Sequence, residues 1–258
     1  MIKFWKKTKK ERMAMRIDGR ENLEFRKMEF KVNYLKYPLS SVLGILGDTI
    51  VLVSVSLSEN LPDFCKAFGH GWISAEYRLL PASTHTRNSN IINSRAQEIK
   101  RMIGRSLRSA FDVYKFPKVY LIVDCEILQA DGGTRVTCIN AGFVALVLAF
   151  DKLLKSNIIE QNPLKSQIAA MSFSVEKGSI ILDPNYLEDS NADIDLNIVV
   201  NRDKKINELQ FSAEKDPISK ELLDSIIDIS FQKAKFIMDL QDEAIGQGGV
   251  EFVKLSNQ

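Results

Sequence analysis

From Glu126 to Phe150 the sequence reads EILQADGGTRVTCINAGFVALVLAF. A strand-like apolar run stops at Gly132-Gly133-Thr134-Arg135, and a long apolar helical pattern follows. Glycines let a backbone approach a ligand closely and adopt positive φ. Successive backbone N–H groups beside a helix N-terminus make an anion site. Arg135 adds a planar, permanently charged fork that matches phosphate oxygens. The four residues could cradle a phosphate. Taken alone, they better suit a tight turn with an arginine in water. They are neither a GxxxxGK[ST] loop nor a GxGxxG turn.

A second cluster lies in YLEDSNADIDLN, with Glu188, Asp189, Asp193 and Asp195. On a strand, Asp193 and Asp195 would share a face. Such carboxylates could hold a hard cation such as Mg²⁺, pass a proton, or simply be solvated. The stretch RNSNIINSRAQEIKRMIGRSLR carries Arg87, Arg95, Lys100, Arg101, Arg105 and Arg108 with few acids. It reads as a solvated helix face or as a surface for phosphates or nucleic acid. The chain has two histidines and three cysteines, Cys65, Cys125 and Cys138, without a CxxC pair. That argues against a zinc site and for buried thiols in a reducing compartment.

The elements that must position these residues follow from periodicity and turn chemistry. Gly47-Asp48 turns a hairpin inside SVLGILGDTIVLVSVSLS. GWISAEYRLLP is extended up to Pro81. Ser94 to Phe111 is a helix with an apolar stripe of Ile99, Met102, Ile103, Leu107 and Ala110. KVYLIVDCEIL is a buried strand, and residues 138–155 form a core helix. Two further hairpins lie in IAAMSFSVEKGSIILDP and IDLNIVVNRDKKINELQFSAEK. Ser219 caps a long helix that ends near Gly246. Strands come first and a helix last in each half, which points to a duplicated α+β unit. With 258 residues, 45% hydrophobic and 26% charged at a net charge of +2, the composition is that of a globular chain. No apolar run is counted near the roughly 20 residues of a membrane span. The start, MIKFWKKTKKERMAM, is basic and lacks the apolar core of a secretory signal.

The pieces RIDGR, GDTIVLVSVS, GWISAEYRLLPASTHTRN, RAQEIKRMIGRSLRSAFD, DCEILQADGGTR and YLEDSNADIDLN occur in this order. Together they resemble the ribonuclease PH family of phosphorolytic 3′→5′ exoribonucleases, over roughly Arg16 to Ala244. LQADGGTR and STHTRN are the most specific of them. The resemblance implies an α+β ribonuclease PH fold over residues 15–246: two similar βαβα-type halves with mixed sheets and helices. Residues 1–14 are then a basic extension and 247–258 a tail. It also implies a cytoplasmic hexameric ring built as a trimer of dimers, not a membrane protein. The substrates it implies are tRNA precursors and other RNA 3′ ends. Inorganic phosphate is the co-substrate and Mg²⁺ or Mn²⁺ the cofactor. By the same resemblance, Arg95, Gly133, Thr134 and Arg135 bind phosphate. Asp189 and Asp195 hold the metal or protonate the leaving oxygen, and Arg87 touches RNA.

The pattern also breaks. Ala82 and Asn90 stand where the family has arginines, and the segment before Arg95 is shorter by about five residues. Ser40 and Phe211 replace glycines. Arg78 replaces a small residue, where it either restores some of the lost charge or, the commoner case, sits in a salt bridge. Two functions therefore stand side by side: a phosphate-dependent exoribonuclease, or a catalytically weak RNA-binding subunit of an exosome-like ring.

Overall fold

The computed structural model describes residues 16–88, 94–213, 215 and 217–250. The basic extension of 1–14, Asn90 and the tail beyond Val250 lie outside the described residues.

The first half runs β1 (Met28–Val32), β2 (Ser40–Leu46), β3 (Thr49–Ser58), α1 (Asp63–Phe68), β4 (Trp72–Leu79), α2 (Ser94–Ser109), β5 (Tyr120–Gln129) and α3 (Thr134–Lys155). The second runs β6 (Ile168–Glu176), β7 (Ser179–Leu182), α4 (Tyr186–Asn191), β8 (Ile194–Asn201), β9 (Ile206–Ala213) and α5 (Lys220–Gln247). The first sheet has the order β1-β2-β3-β5-β4. It is mixed, because β4 pairs parallel with β5 across the α2 crossover, while its other pairs are antiparallel. A parallel pair needs such a crossover. The second sheet, β7-β6-β8-β9, is antiparallel throughout.

Helix α3 joins the two layers. It packs on β2 and β3 on one side and on β6 on the other. Every residue from Val136 to Phe150 is buried, which explains a sequence apolar all round. The helix comes close to β2 because Gly44 has no side chain: a Cβ there would lie 3.0 Å from that of Ala141. Asn140, buried in α3, pairs with both backbone groups of one residue of β6. Its Nδ2 donates to Ala170 O, and Ala170 N donates back to its Oδ1, both at 2.8 Å. Such pairing is what lets a polar side chain sit in the core.

The predicted hairpins, strands and long helices are present, with differences at their ends. Helix α3 starts at Thr134 rather than at 138, because Gly133 (φ +70) makes its N-cap. Its length and composition alone would let it cross a membrane, contrary to the apolar-run count, but nearly all of it is buried inside the fold. Helix α2 stops at Ser109, and Phe111 instead bridges to Leu164. The short elements β1, α1 and α4 are additions to the sequence reading. Val250, in the stretch read as tail, is buried in the core. All three cysteines are buried and free.

Candidate active site

A cavity of about 700 Å³ opens where the two halves meet. The first half contributes Arg95 from α2 and Gly133, Thr134 and Arg135 from the start of α3. The second contributes Asp189 from α4 and Asp195 from β8. Arg87 is exposed and does not line the cavity, although its neighbours Thr84 and Asn88 do.

The two glycines have separate reasons. Gly132 (φ +75) packs against the segment that starts α4: a Cβ there would lie 2.5 Å from Pro184 O. Gly133 (φ +70) turns the chain into α3, and no side chain caps that helix. Its first-turn N–H groups therefore keep their donors for what enters the cavity. The loop before them is held from behind. Thr49 Oγ1 donates to Gly132 O at 2.6 Å and accepts from Asp131 N at 2.9 Å.

Arg135 Nη1 lies 3.6 Å from Asp195 Oδ2, joining a helix of the first half to a strand of the second. Asn197 Nδ2 donates to Asp195 Oδ1 at 3.3 Å. Tyr77 Oη and Thr134 Oγ1 share a hydrogen bond of 3.0 Å. Burial pushes the Tyr77 phenol up to about 12, so it stays a neutral donor at ordinary pH. Ser172, Asn197 and Tyr77 all line the cavity. Sequence reasoning missed them, since each lies inside a strand where only the three-dimensional register shows which way it faces.

Asp193 is not part of the cavity lining. Strand β8 begins at Ile194, so Asp193 sits in the turn before it. Its carboxylate accepts from Lys215 Nζ at 2.9 Å and from Lys177 N at 2.8 Å. The spacing argument for Asp193 and Asp195 on one strand face therefore fails. Glu188 is structural too: it accepts from Arg16 Nε at 2.7 Å and completes a capping box with Asn185. Burial works to raise the Glu188 carboxyl, but Arg16, the Asn185 N–H and Arg20 together hold it below its ordinary value. Arg78, as expected, is engaged in salt bridges: Nη2 lies 2.6 Å from Glu126 and 3.4 Å from Asp124.

Asp189 and Asp195 are the carboxylates of the cavity. Among the described residues, no group of three or more His, Cys, Asp or Glu side chains gathers as a metal site. Two carboxylates still fit a Mg²⁺-type ion, which keeps several waters.

A cavity at the seam of two α+β halves, with uncapped helix donors, arginines and two carboxylates, has the make-up of a phosphoryl-transfer site. The family model "3′ exoribonuclease family, domain 1" matches residues 24–150, and "domain 2" of the same family matches 166–233. Ribonuclease PH of Crocosphaera subtropica is 40% identical over 235 residues, covering 90% of this chain and 98% of that protein. Ribonuclease PH of Bacillus cereus is 39% identical over 238 residues, with 90% and 97% covered. Among solved structures, the Archaeoglobus fulgidus exosome with RNA bound to the active site superposes with a TM-score of 0.76 at 26% identity, covering 89% and 94%. Rice Rrp46 superposes at 0.74 and 22% identity, covering 89% and 100%, and shows the fold alone. The chain belongs to the 3′ exoribonuclease family. It is a phosphorolytic exoribonuclease of the nucleotidyltransferase type, with inorganic phosphate as co-substrate.

Proposed function

We propose that this chain trims the 3′ ends of tRNA precursors and other RNAs, working in the cytoplasm as a hexameric ring. Residues 15–246 form the catalytic unit in this reading. The observation that carries it is the convergence of Arg95, Gly133, Thr134, Arg135, Asp189 and Asp195 on one cavity. Three buried free thiols support a reducing compartment. Relatives named ribonuclease PH and exosome neighbours support RNA as the substrate and a ring as the assembly.

The first-turn N–H groups of α3 with Arg95 and Arg135 hold inorganic phosphate in line with the last 3′ phosphodiester. A phosphate oxygen attacks that phosphorus, the bond to the 3′ oxygen breaks, and a nucleoside diphosphate leaves. Asp189 or Asp195 delivers the proton that the 3′ oxygen takes up. Arg87, off the cavity, contacts the RNA backbone upstream. Where both carboxylates stay ionised instead, Asp189 and Asp195 would hold Mg²⁺ or Mn²⁺, which when bound offsets the charge of two phosphates brought together, and the 3′ oxygen takes its proton from the attacking hydrogen phosphate. Positioning and charge neutralisation supply most of the rate in such reactions.

Incubating the protein with 3′-extended tRNA and Mg²⁺, with or without phosphate, tests the reading. Nucleoside diphosphates are expected only when phosphate is present. Monophosphates in phosphate-free buffer would overturn it, and no product in either arm would favour the silent ring subunit.

A further inference from the structure

β6 and β8 pair antiparallel, with Ser172 opposite Asn197 and Ser174 opposite Asp195. Side chains of directly opposed residues stand on the same face of a sheet. That face carries Asp195, whose carboxylate lies 3.6 Å from Arg135 in the first turn of α3, so it looks onto the helix that begins at the glycine loop.

Ser172 is 5% exposed and lines the cavity. Its hydroxyl is buried and finds no hydrogen-bond partner among the described residues. Native structures rarely keep a buried polar group unpaired, and each exception calls for an explanation. Here the cavity supplies one. Asn197, across the register from Ser172, is 4% exposed and donates to Asp195. The other oxygen of Asp195 faces Arg135. Ser172 therefore stands next to a chain of contacts that ends at the first turn of α3. Around this end of the cavity are the helix N–H groups, Thr134, Arg135 and Ser172, all able to donate. A tetrahedral oxyanion can accept from several directions at once.

We propose that Ser172 is a further phosphate-binding residue: its hydroxyl donates to an oxygen of the inorganic phosphate held at Gly133–Arg135. The inference rests on the reading of that loop as the phosphate cradle. It places donors on two sides of the phosphate, from the helix of the first half and from the sheet of the second. Phosphate would then bind fully only when the two halves are correctly packed.

The test uses the intact chain and the Ser172→Ala and Arg135→Ala variants. Three quantities are measured: KM for phosphate at saturating RNA, RNA affinity without phosphate, and Tm with and without inorganic phosphate. One neutral hydrogen bond corresponds to a rise in KM for phosphate of roughly three- to tenfold in Ser172→Ala. RNA affinity is expected to stay within about twofold. Tm without phosphate should not fall, since no bond within the protein is lost. The phosphate-induced rise in Tm should shrink. An unchanged KM for phosphate in Ser172→Ala, with a raised KM in Arg135→Ala, keeps the cradle and overturns the role of Ser172. An unchanged KM in both overturns the cradle and the inference with it. Loss of RNA affinity alone would assign Ser172 to the nucleotide, and a lower Tm without phosphate would assign it to the scaffold. Either result refutes the proposal.

Discussion

Arg26 and Asp183 form a two-bond ion pair, Nε to Oδ2 at 3.0 Å and Nη2 to Oδ1 at 2.6 Å. Both side chains are nearly buried. The same guanidinium donates to Asp131 O at 2.5 Å, and to Gly132 O and Pro184 O at 3.3 Å each. It thus ties the glycine loop of the first half to the segment that starts α4 in the second. Arg16 and Arg20 extend the tie to Glu188. The distance between the start of α3 and Asp189 is set from behind the cavity by these arginines.

Arg26→Ala would remove the two-bond partner of buried Asp183, leaving it Arg20 at 3.3 Å and the backbone N–H of residue 26. Breaking a buried pair in this way costs about 3–5 kcal/mol. Thermal unfolding at fixed protein concentration should show a fall in Tm of several degrees. The Arg26→Ala/Asp183→Asn double variant should lose less than the sum of the single variants, because the pair is coupled. Additive losses would show that the two residues act independently.

Arg135→Ala is expected to raise KM for phosphate by at least roughly tenfold, the value of a hydrogen bond to a charged group. Arg95→Ala should act the same way with a smaller effect, since Arg95 is exposed. RNA affinity without phosphate should hold within about twofold in both. Steady-state titration of phosphate, paired with RNA binding, checks this. Equal loss of both affinities would contradict the assignment.

Asp189→Asn and Asp195→Asn keep side-chain size and remove the charge. Each is expected to lower the rate by about 10²–10⁴, the range of a lost acid–base group, with RNA still bound and the oligomer intact. Single-turnover rates at saturating phosphate and Mg²⁺ decide it. A rate near that of the parent at either position would remove that carboxylate from the chemistry.

The sequence offered the glycine loop as a phosphate cradle, and its resemblance to the family, not spacing, offered Arg95, Asp189 and Asp195, all of which line one cavity. It was silent where function depends on packing between distant segments. The Arg16–Arg20–Arg26 cluster reads locally as three solvated charges, yet Glu188, Asp183 and Asp131, the groups it binds across the fold, lie more than a hundred residues away. Helix α4 was hidden by its six-residue length and its acids, although Asn185 and Glu188 spell a capping box. Ser172 and Asn197 lie in strands whose alternation is masked by burial on both faces. Without alternation, no local pattern says which face meets a cavity.

Glu188 gives a pH signature. Its carboxyl has an ordinary value of 4.5 and is held lower in the fold, where burial opposes but Arg16 and the Asn185 N–H prevail. A depressed carboxylate contributes stability that is full above the unfolded value and lost as pH falls through the folded one. Glu188→Gln should therefore lower Tm at neutral pH, and its Tm should converge on the parent's below about pH 4.5. A gap that stays constant down to pH 3 would mean that the charge of Glu188 is not what stabilises α4.

The loop from Leu80 to Asn88 is where RNA grip is expected to separate from phosphate chemistry. It folds back beside the glycine loop: Ser83 N donates to Leu80 O at 3.0 Å, Asn88 N to Pro81 O at 2.7 Å, and Ala130 N to Ser83 O at 2.8 Å. Ala82 and Arg87 are exposed on it, off the cavity lining. Each phosphate contact on single-stranded nucleic acid adds about 0.7 to the slope of log K against log salt. Arg87→Ala should flatten the slope by about that amount, and Ala82→Arg should steepen it by the same. KM for phosphate should hold in both, because the cradle at Gly133–Arg135 is untouched. Asn90 lies outside the described residues, so the single change at Ala82 is the cleaner comparison. Titrating tRNA at several salt concentrations gives the slopes. If neither variant shifts them, the RNA path does not cross this loop, and the basic stretch along α2 becomes the surface to scan.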